Sequence, residues 1–246
     1  LPAMFAGTKY ANCFPIGTMD VVMNFKPQTL RDYYEKWYRP DLQGIVVVGD
    51  IDVDAIEALI KKRFSDIPAQ PNAAKREYYP VNDNQEPIVL VARDKEQPYV
   101  QTFIFNKHQA TPREEKNNVG YLMQDYAVTL ITNMLNARLN ELLQVANPPY
   151  IYATTYDDDF FVAKTKDAFT GIVVCKEDNI KEGISTILRE IERARQFGFT
   201  ETEYSRARAE YLRHLESAFQ ERDKRKNESY VKEYVRHFLD NEPIPG

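Results

Sequence analysis

Cysteine and histidine, which supply most transition-metal ligands in proteins, are scarce in this 246-residue chain. The two cysteines, Cys13 and Cys175, form no C-x-x-C pair, which argues against a zinc knot or a redox-active dithiol. The histidines, His108, His214 and His237, are far apart in sequence. A helical zinc site needs two histidines at i and i+4, so we expect these residues to hold no zinc by themselves.

The glycine-rich and serine-centred motifs of several enzyme classes are missing as well. The chain contains no G-x-S-x-G nucleophile elbow, no Walker loop and no G-x-G-x-x-G. The stretch "WYRPDLQGIVVVGDIDVDAIEALIKKRF" (37–64) has the strand–turn–helix order that holds phosphate in many folds. Asp50 and Asp52, however, place negative charge where a phosphate would lie. We interpret this stretch as scaffold.

Long apolar runs and an excess of basic residues are also absent. No apolar stretch approaches the roughly 20 residues that a membrane-spanning helix needs. The net charge is −5, and the basic residues are interspersed with acidic ones, unlike the basic patch of a nucleic-acid-binding protein. We therefore predict neither a membrane span nor a nucleic-acid partner.

Aromatic residues, in contrast, are abundant, with 16 tyrosines and 13 phenylalanines. Amphipathic aromatics at this density suit a half-wet cavity wall or interface, and equally a sheet-rich core. Three adjacent acids, Asp157 to Asp159, could hold calcium at a hairpin tip. A solvated turn is the favoured alternative, because calcium ligands must converge on one point.

Apolar periodicity divides the chain into two units. In the first, residues 1–75, a helix is predicted with Thr29 as its N-cap and Asp32 closing a capping box. The apolar run at residues 45–48 predicts a strand that is buried on both faces. Asp52 is then expected to cap an amphipathic helix.

The second unit, residues 76–246, combines strands with long helices. Predicted strands occupy residues 87–93, 99–106, 150–156, 160–165 and 168–175, the last three as an antiparallel meander. Predicted helices occupy residues 121–143, residues 179–197 before Gly198, a segment that follows a Thr200–Glu203 capping box, and a last segment that includes residues 230–239. The fold class is therefore α+β, with an antiparallel-rich sheet covered by helices.

The strand at residues 45–48 is predicted without a neighbour in its own unit. A buried strand needs hydrogen-bond partners on both sides. We therefore expect the chain to be an internal piece of a longer protein, incomplete at both ends. We also predict that residues 45–48 pair either with the open sheet edge of the second unit or between two copies of the chain, as a strand-mediated homodimer.

Two stretches carry a resemblance to a known family. "FPIGTMDVV" (14–22) and "FKPQTLRDYYEKWYRPDLQGIVVVGDIDVDAIEALIKKRFSDIP" (25–68) closely resemble the pitrilysin/insulinase family of zinc metallopeptidases. "NMLNARLNELLQ" (133–144), the meander and the long helices are similar to the family's second, non-catalytic repeat. The nearest likeness is to large multi-repeat bacterial members. The resemblance implies that 1–75 is the C-terminal part of the catalytic repeat and 76–246 a second repeat without its last elements.

The same resemblance implies where the chemistry lies. Family members bind zinc through H-x-x-E-H on a helix, with the glutamate acting as general base, and this motif precedes the position of residues 14–18. The parent protein is thus expected to be a zinc-dependent endopeptidase, and this fragment to be inactive and free of zinc. The bacterial relatives imply a location in the periplasm or cell envelope.

The family's second repeat often grips the substrate backbone with an arginine and a tyrosine. Arg138 matches the first arginine of that pattern, but the second arginine would fall near Leu143 or Gln144 and is not kept. Tyr150 and Tyr152 both lie near the tyrosine position. The resemblance therefore implies Arg138, Tyr150 and Tyr152 as substrate-binding residues, with a plain sheet-packing role as the alternative for the tyrosines.

The resulting functional hypothesis is a chamber wall that aligns an extended peptide or unfolded polypeptide and contacts the remaining repeats of the parent chain. A rival hypothesis is a structural or partner subunit, from a family relative that has lost catalysis. A third is an autonomous peptide-binding domain.

Overall fold

The computed structural model describes residues 2–13 and 16–244, so Phe14 and Pro15 of the family-like motif lie outside the described residues. Within these ranges the main elements are α1 (Met19–Asn24), α2 (Pro27–Trp37), α3 (Val53–Phe64), β1 (Val100–Gln109), α4 (Val119–Glu141), β2 (Tyr152–Asp159), β3 (Lys166–Cys175), α5 (Ile180–Phe197), α6 (Glu201–Gln220) and α7 (Asn227–Asp240). None of the helices in the described ranges is both long and apolar enough to cross a membrane.

Three helix ends confirm the capping predictions. The Asp52 carboxylate accepts a hydrogen bond from the backbone N–H of Ala55 and starts α3. Gly198 ends α5 with a φ of 68°, which glycine adopts without steric cost. Thr200 and Glu203 form a complete capping box at the start of α6.

The predicted start of α2 is wrong. α2 begins at Pro27, Lys26 is the N-cap residue, and the backbone N–H of Thr29 donates to the Lys26 carbonyl. Proline is favoured at the first helical position because its φ is already helical and its missing N–H would have no intrahelical partner. The helix therefore starts before the threonine that resembles a cap.

The three strands form one antiparallel sheet in the order β1-β3-β2. Ile172 of β3 lies between Phe103 of β1 and Thr154 of β2, which fixes the register across the sheet. α4 and α5 pack on one face of this sheet. The α+β fold, with an antiparallel sheet covered by helices, is confirmed.

The main core lies between the sheet and these two helices. Its buried residues are Leu139, Tyr150, Ala153, Val173, Cys175 and Ile187. Gly183 lets α5 approach β3 closely, because a Cβ at this position would lie 2.2 Å from the Cys175 sulfur.

A second core covers one end of the other sheet face. Phe5, from the start of the chain, packs there with Val81, Phe160, Ala163 and Ala168. The first residues of the chain thus lie against the second unit. The division into units 1–75 and 76–246 stays a prediction.

Residues 45–48 are not part of the sheet, so the prediction that they pair with the second unit is wrong. Within the described chain they form no strand, and Ile45 and Val47 are about half exposed. The stretch instead runs along α7: Gly44 lies against the Phe238 ring and Gly49 beside Asn227. The pattern identified an apolar segment, but no strand among the described residues lies beside it to pair with it.

Two other strand predictions are wrong for related reasons. Residues 87–93 form no strand and are exposed, without a paired neighbour among the described residues. Residues 160–165 form the connection between β2 and β3, where Phe161 has a φ of 58° and the Phe160 N–H donates to the Lys166 carbonyl. The meander therefore contains two strands, β2 and β3, and β1 completes the sheet.

Candidate functional site

One face of the sheet is left largely open by the helices, and aromatic side chains line it. Successive residues of a strand point to opposite faces. Ala153 and Val173 point toward α4 and α5, so their neighbours point away. The open face consists of Phe103, Phe105, Tyr152, Thr154, Tyr156, Ile172 and Val174.

The edges of this open face are accessible to a ligand. Tyr152 is 50% exposed and Tyr156 40% exposed on β2, and Phe103 is 47% exposed on β1. Phe103 and Phe105 stack with ring centroids 5.9 Å apart. Ile172 and Val174 of the central strand lie between these aromatic borders. The result is a shallow apolar surface with hydroxyl groups along one side.

Two lysines, Lys107 and Lys166, lie at the covered end of the open face. Lys166 is fully buried there, and its ammonium donates to the Asp83 carboxylate at 2.9 Å, which lowers the pKa of Asp83. Lys107 donates to the Asn82 carbonyl at 2.7 Å, and burial lowers its pKa. Residues near Asp83 therefore cover the Lys166 end of the open face. A ligand has access to this face from the Val174 end.

Arg138 lies away from the open face. It is 8% exposed on α4, and its guanidinium donates to both Glu203 carboxylate oxygens and to the Gly198 carbonyl. The Phe199 ring stacks against it with a separation of 4.5 Å. The hydrogen bond from Arg138 lowers the pKa of Glu203 to about 2. These contacts join α4 to the start of α6.

The two tyrosines lie in different environments. Tyr150 is 2% exposed, and its hydroxyl donates to the Leu139 carbonyl at 2.6 Å. Burial raises the pKa of Tyr150 to about 12. Tyr152, the next residue but one, is half exposed on the open face. Of the three residues implied by the resemblance, only Tyr152 has a side chain placed to meet a peptide on this face.

The acidic run at 157–159 does not form a converging set of ligands. Asp157 accepts from Nε2 of His108 at 3.0 Å, Asp158 accepts from the Asp159 N–H, and Asp159 accepts from Lys164. Alternation along β2 sends neighbouring carboxylates to opposite faces. Among the described residues, no group of three or more histidine, cysteine or carboxylate side chains could hold a metal ion. The histidine, cysteine and carboxylate side chains of the described residues therefore do not fit the zinc site of the family.

Sequence reasoning missed two features of this region. The His108–Asp157 pair spans β3 from one edge strand to the other, close to Asp167, whose pKa is raised by burial. Phe103 and Tyr156, which lie on the open face together with Tyr152, were also missed. Strand alternation could have grouped Tyr152 with Tyr156, but their placement opposite Phe103 depends on the order of the strands.

Comparison with known proteins gives a consistent result. A model of the peptidase M16 inactive domain matches residues 24–211. A protein described as "Zinc protease PQQL-like" from Arabidopsis thaliana is 28% identical over 244 residues, covering 99% of this chain and 22% of that protein.

Two crystal structures from Escherichia coli share the fold. The periplasmic protease PqqL matches with a TM-score of 0.86 and 24% identity, over 100% of this chain and 26% of that chain. The first half of PqqL matches with a TM-score of 0.84 and 24% identity, over 98% of this chain and 51% of that chain. This chain thus spans about a quarter of the length of the full-length relatives.

Proposed function

Because the chain belongs to the peptidase M16 family, whose inactive-domain model matches most of its length, we propose that it is the non-catalytic part of a zinc-dependent endopeptidase. In this role it walls the substrate chamber and contacts the bound peptide. The zinc ligands and the general base come from another part of the longer protein. The chain by itself has no peptidase activity.

The observation that carries this proposal is the open face of the sheet. A folded domain normally covers both faces of an apolar sheet or makes the outer face polar. Here Phe103, Tyr152 and Tyr156 are each at least two-fifths exposed around an aliphatic centre. Aromatic side chains with a polar tip suit a surface that is alternately wet and in contact with a peptide. Tyr152 is the residue we assign to peptide contact, while Arg138 and Tyr150 support the wall from behind.

Peptide binding by the 246-residue chain tests this proposal. A fluorescein-labelled, permanently unfolded polypeptide is titrated with the chain, and its anisotropy is recorded. We expect saturable binding that Tyr152→Ser weakens about three- to tenfold, because one exposed aromatic contact is lost. Tyr33→Ser, which removes an exposed tyrosine from α2, is the matched control. A flat titration, or equal losses in both variants, would contradict the assignment.

The activity of the longer protein needs a separate measurement. We propose that the full-length polypeptide containing this chain binds one zinc ion per catalytic site and hydrolyses peptide bonds. Metal analysis of the purified full-length protein and a chelator-sensitive peptidase assay test this. A metal-free, inactive full-length protein would instead favour the rival role as a structural or partner subunit.

We propose a periplasmic or cell-envelope location, by analogy with the relative described as a periplasmic protease. Cell fractionation followed by immunodetection of the full-length protein tests it. Recovery of the protein only with cytoplasmic markers would exclude this location.

We further propose that the isolated chain forms a homodimer through residues 45–48. This stretch carries exposed apolar side chains and, within the described chain, no paired strand; such an edge associates readily. Sedimentation velocity over a range of concentrations tests it. We expect a concentration-dependent dimer that Val47→Lys weakens, whereas a monomer at every concentration would contradict the proposal.

A further inference from the structure

The end of α7 is fastened to the segment that follows β1 by two reciprocal hydrogen bonds. The Arg113 guanidinium donates to the Phe238 carbonyl at 2.8 Å, and the Asn241 side-chain amide donates to the Arg113 carbonyl at 3.1 Å. We call this pair of contacts the α7 latch. Both hydrogen bonds are exposed to water, so each one stabilises the docked helix end only weakly. The charges around the latch can therefore decide whether it stays closed.

A cavity of about 570 Å³ lies beside the α7 latch, between the end of the sheet, α4 and α7. Arg236, Asp240 and Glu242 line it from α7 and the residues that follow, and Tyr121 and Asp125 line it from α4. Burial and then the neighbouring carboxylates, Glu242 foremost, raise the pKa of Tyr121 to about 12. The last turn of a helix also carries partial negative charge. The end of α7 thus brings negative charge into the cavity.

The end of the sheet is acidic on the opposite side of this cavity. Asp157 and Asp159 of β2 and Asp167 of β3 point to the face on which α4 packs, as Ala153 and Val173 do, because positions along a strand alternate. Burial, followed by the charge of Asp159, raises the pKa of Asp167. Asp158 of β2 lines the cavity as well. Closing the latch therefore brings two sets of carboxylates together.

Fixed positive charges offset these carboxylates only in part. Lys164 donates to Asp159 at 2.8 Å and lies 3.9 Å from Asp240, so it joins the sheet end to α7. Lys116 and Arg236 also line the cavity. The carboxylates that line it outnumber these three cations. A further positive charge in the cavity would consequently favour the docked position of α7.

Among the described residues that line the cavity, His108 is the one whose type ordinarily changes charge between about pH 5 and pH 8. Its Nε2 lies 3.0 Å from both carboxylate oxygens of Asp157, and its Nδ1 lies 3.2 Å from the Gln109 carbonyl. Both partners are acceptors, so both ring nitrogens are satisfied only when each carries a proton. His108 is also the register partner of Asp167. The contacts of His108 therefore fit the positively charged imidazolium form.

We propose that protonated His108 keeps the α7 latch closed, and that the end of α7 is released as the pH rises through the range in which histidine loses its proton. With His108 neutral, the carboxylates of the sheet end and of α7 repel each other without its charge between them. Ionisation of Asp167 acts in the same direction. A carboxyl group whose folded pKa is raised stabilises the docked arrangement at low pH, and this stability is lost as the pH rises through the folded value.

The consequence of release extends to the first unit. The Phe238 ring lies against Gly44, and the Phe238 carbonyl is one half of the latch. Opening the latch thus loosens the contact between α7 and residues 44–49. This pH-dependent latch goes beyond the proposed function and does not depend on peptide binding.

Hydrogen exchange in the last turn of α7 tests the latch. The amides of residues 237–241 are followed by NMR in the 246-residue chain, and each rate is divided into the rate of an unfolded amide at the same pH. We expect their protection to fall about three- to tenfold between about pH 5.5 and about pH 7.5. The midpoint should coincide with the titration of the His108 ring signals. Amides of α5, which packs on the sheet, are the internal reference. Constant protection at 237–241 would overturn the proposal.

Substitution of the histidines assigns the pH dependence to one side chain. His108→Gln keeps a donor for Asp157 without the charge, and we expect low protection of α7 throughout this pH range. His108→Lys keeps the charge, and we expect high and constant protection. His214→Gln, at an exposed position of α6, is the matched control and should behave like the unsubstituted chain. A pH dependence that persists in His108→Gln would contradict the latch.

His237 needs its own variant, because it lies in α7 with its Nδ1 2.8 Å from the Glu242 carbonyl. We expect His237→Gln to keep the fall in protection between about pH 5.5 and about pH 7.5. Loss of the pH dependence in His237→Gln, together with its survival in His108→Gln, would assign the titration to α7 itself and overturn the proposal.

Discussion

At the scale of single residues, Arg138 of α4 contacts a segment 60 to 65 positions further along the chain, where α5 ends and α6 begins. Its guanidinium reaches the carboxylate of Glu203 and the carbonyl of Gly198, and Glu203 at the same time caps α6 through Thr200. The arginine that the family resemblance implied for substrate thus links α4 to the start of α6, and its contact with a substrate stays a prediction. Sequence reasoning identified the residue but not its partner, because nothing in a linear motif shows that Glu203 lies beside it.

Replacing Arg138 by methionine tests this link. Methionine keeps an apolar stem against Phe199 but leaves the Glu203 carboxylate without its guanidinium. Removing one partner of a largely buried ion pair typically costs a few kcal/mol, so we expect a loss of about 2–4 kcal/mol in the free energy of unfolding. Urea denaturation measures it. Arg206→Met, in an exposed pair with Glu141, is the control and is expected to change stability by less than about 0.5 kcal/mol.

The same pair predicts a pH dependence. The pKa of Glu203 is lowered in the folded protein to about 2, from an ordinary value of 4.5. A lowered carboxylate pKa stabilises the fold fully above the ordinary value, and this stability is lost as the pH falls toward the folded value. The difference in free energy of unfolding between the unsubstituted 246-residue chain and Arg138→Met should therefore shrink as the pH falls from about 5 to about 3. A difference that stays constant over this range would show that lost packing, not lost charge, causes the effect.

Gly183 gives a second prediction at this scale. A Cβ there would lie 2.2 Å from the Cys175 sulfur, so Gly183→Ala must push α5 away from β3. Overpacking of this kind costs about 1–3 kcal/mol. The double variant Cys175→Ala/Gly183→Ala removes the contact with the sulfur, which is the shortest one, and we expect it to be more stable than the sum of the single effects indicates. If the losses in free energy of unfolding, measured by urea denaturation, are additive, they would contradict the close approach of α5 to β3.

At the scale of elements, amphipathic helices could be predicted from the sequence and isolated strands could not. α3 and α6 begin at their predicted N-caps and α5 ends at the predicted Gly198, since the signals that set these helix ends lie within a few residues. The stretches at 45–48 and 87–93 have equally clear apolar patterns. A strand, however, exists only where another strand supplies its hydrogen bonds, and a pattern along one segment does not report on its neighbours.

Hydrogen exchange measures this difference between elements. In dilute solution, below the concentration at which the proposed homodimer forms, we expect the amides of residues 45–48 and 88–91 to exchange within seconds, because they lack backbone partners in the described chain. β3, paired on both sides, is the internal reference and is expected to exchange orders of magnitude more slowly. Protection at 45–48 that rises with protein concentration would reveal pairing between copies. Protection that does not depend on concentration would contradict the unpaired arrangement.

At the scale of the whole molecule, the order of strands determines the candidate site. The family resemblance implies Tyr152 as a substrate-binding residue on a predicted strand, and the structure puts its side chain on the open face. The borders of that face come from β1 and β2, which meet only through β3. Phe103 and Tyr156 are 53 positions apart in sequence, so their membership in one surface follows from topology and not from local pattern.

The first residues of the chain also pack against the second unit. Phe5 is 1% exposed among Phe160, Ala163 and Ala168 of the second unit, and the Lys9 ammonium donates to the Tyr79 hydroxyl at 2.9 Å. Residues 76–246 consequently lack part of their own core when residues 2–11 are removed. Local composition suggests a domain boundary at residue 75. Such a boundary would separate Phe5 and Lys9 from the residues that they contact.

Phe5→Ala tests how strongly the start of the chain supports the second unit. Truncating a fully buried phenylalanine costs about 3–5 kcal/mol, and we expect the urea midpoint of the whole chain to fall accordingly. Phe25→Ala, at a half-exposed position, is the matched control and is expected to cost less than about 1 kcal/mol. Residues 76–246 expressed alone should unfold at a lower urea concentration than the complete chain, because the pocket formed by Phe160 and Ala168 is then empty. An equal midpoint for the two chains would show that the second unit folds independently of Phe5 and would place the domain boundary at residue 75 after all.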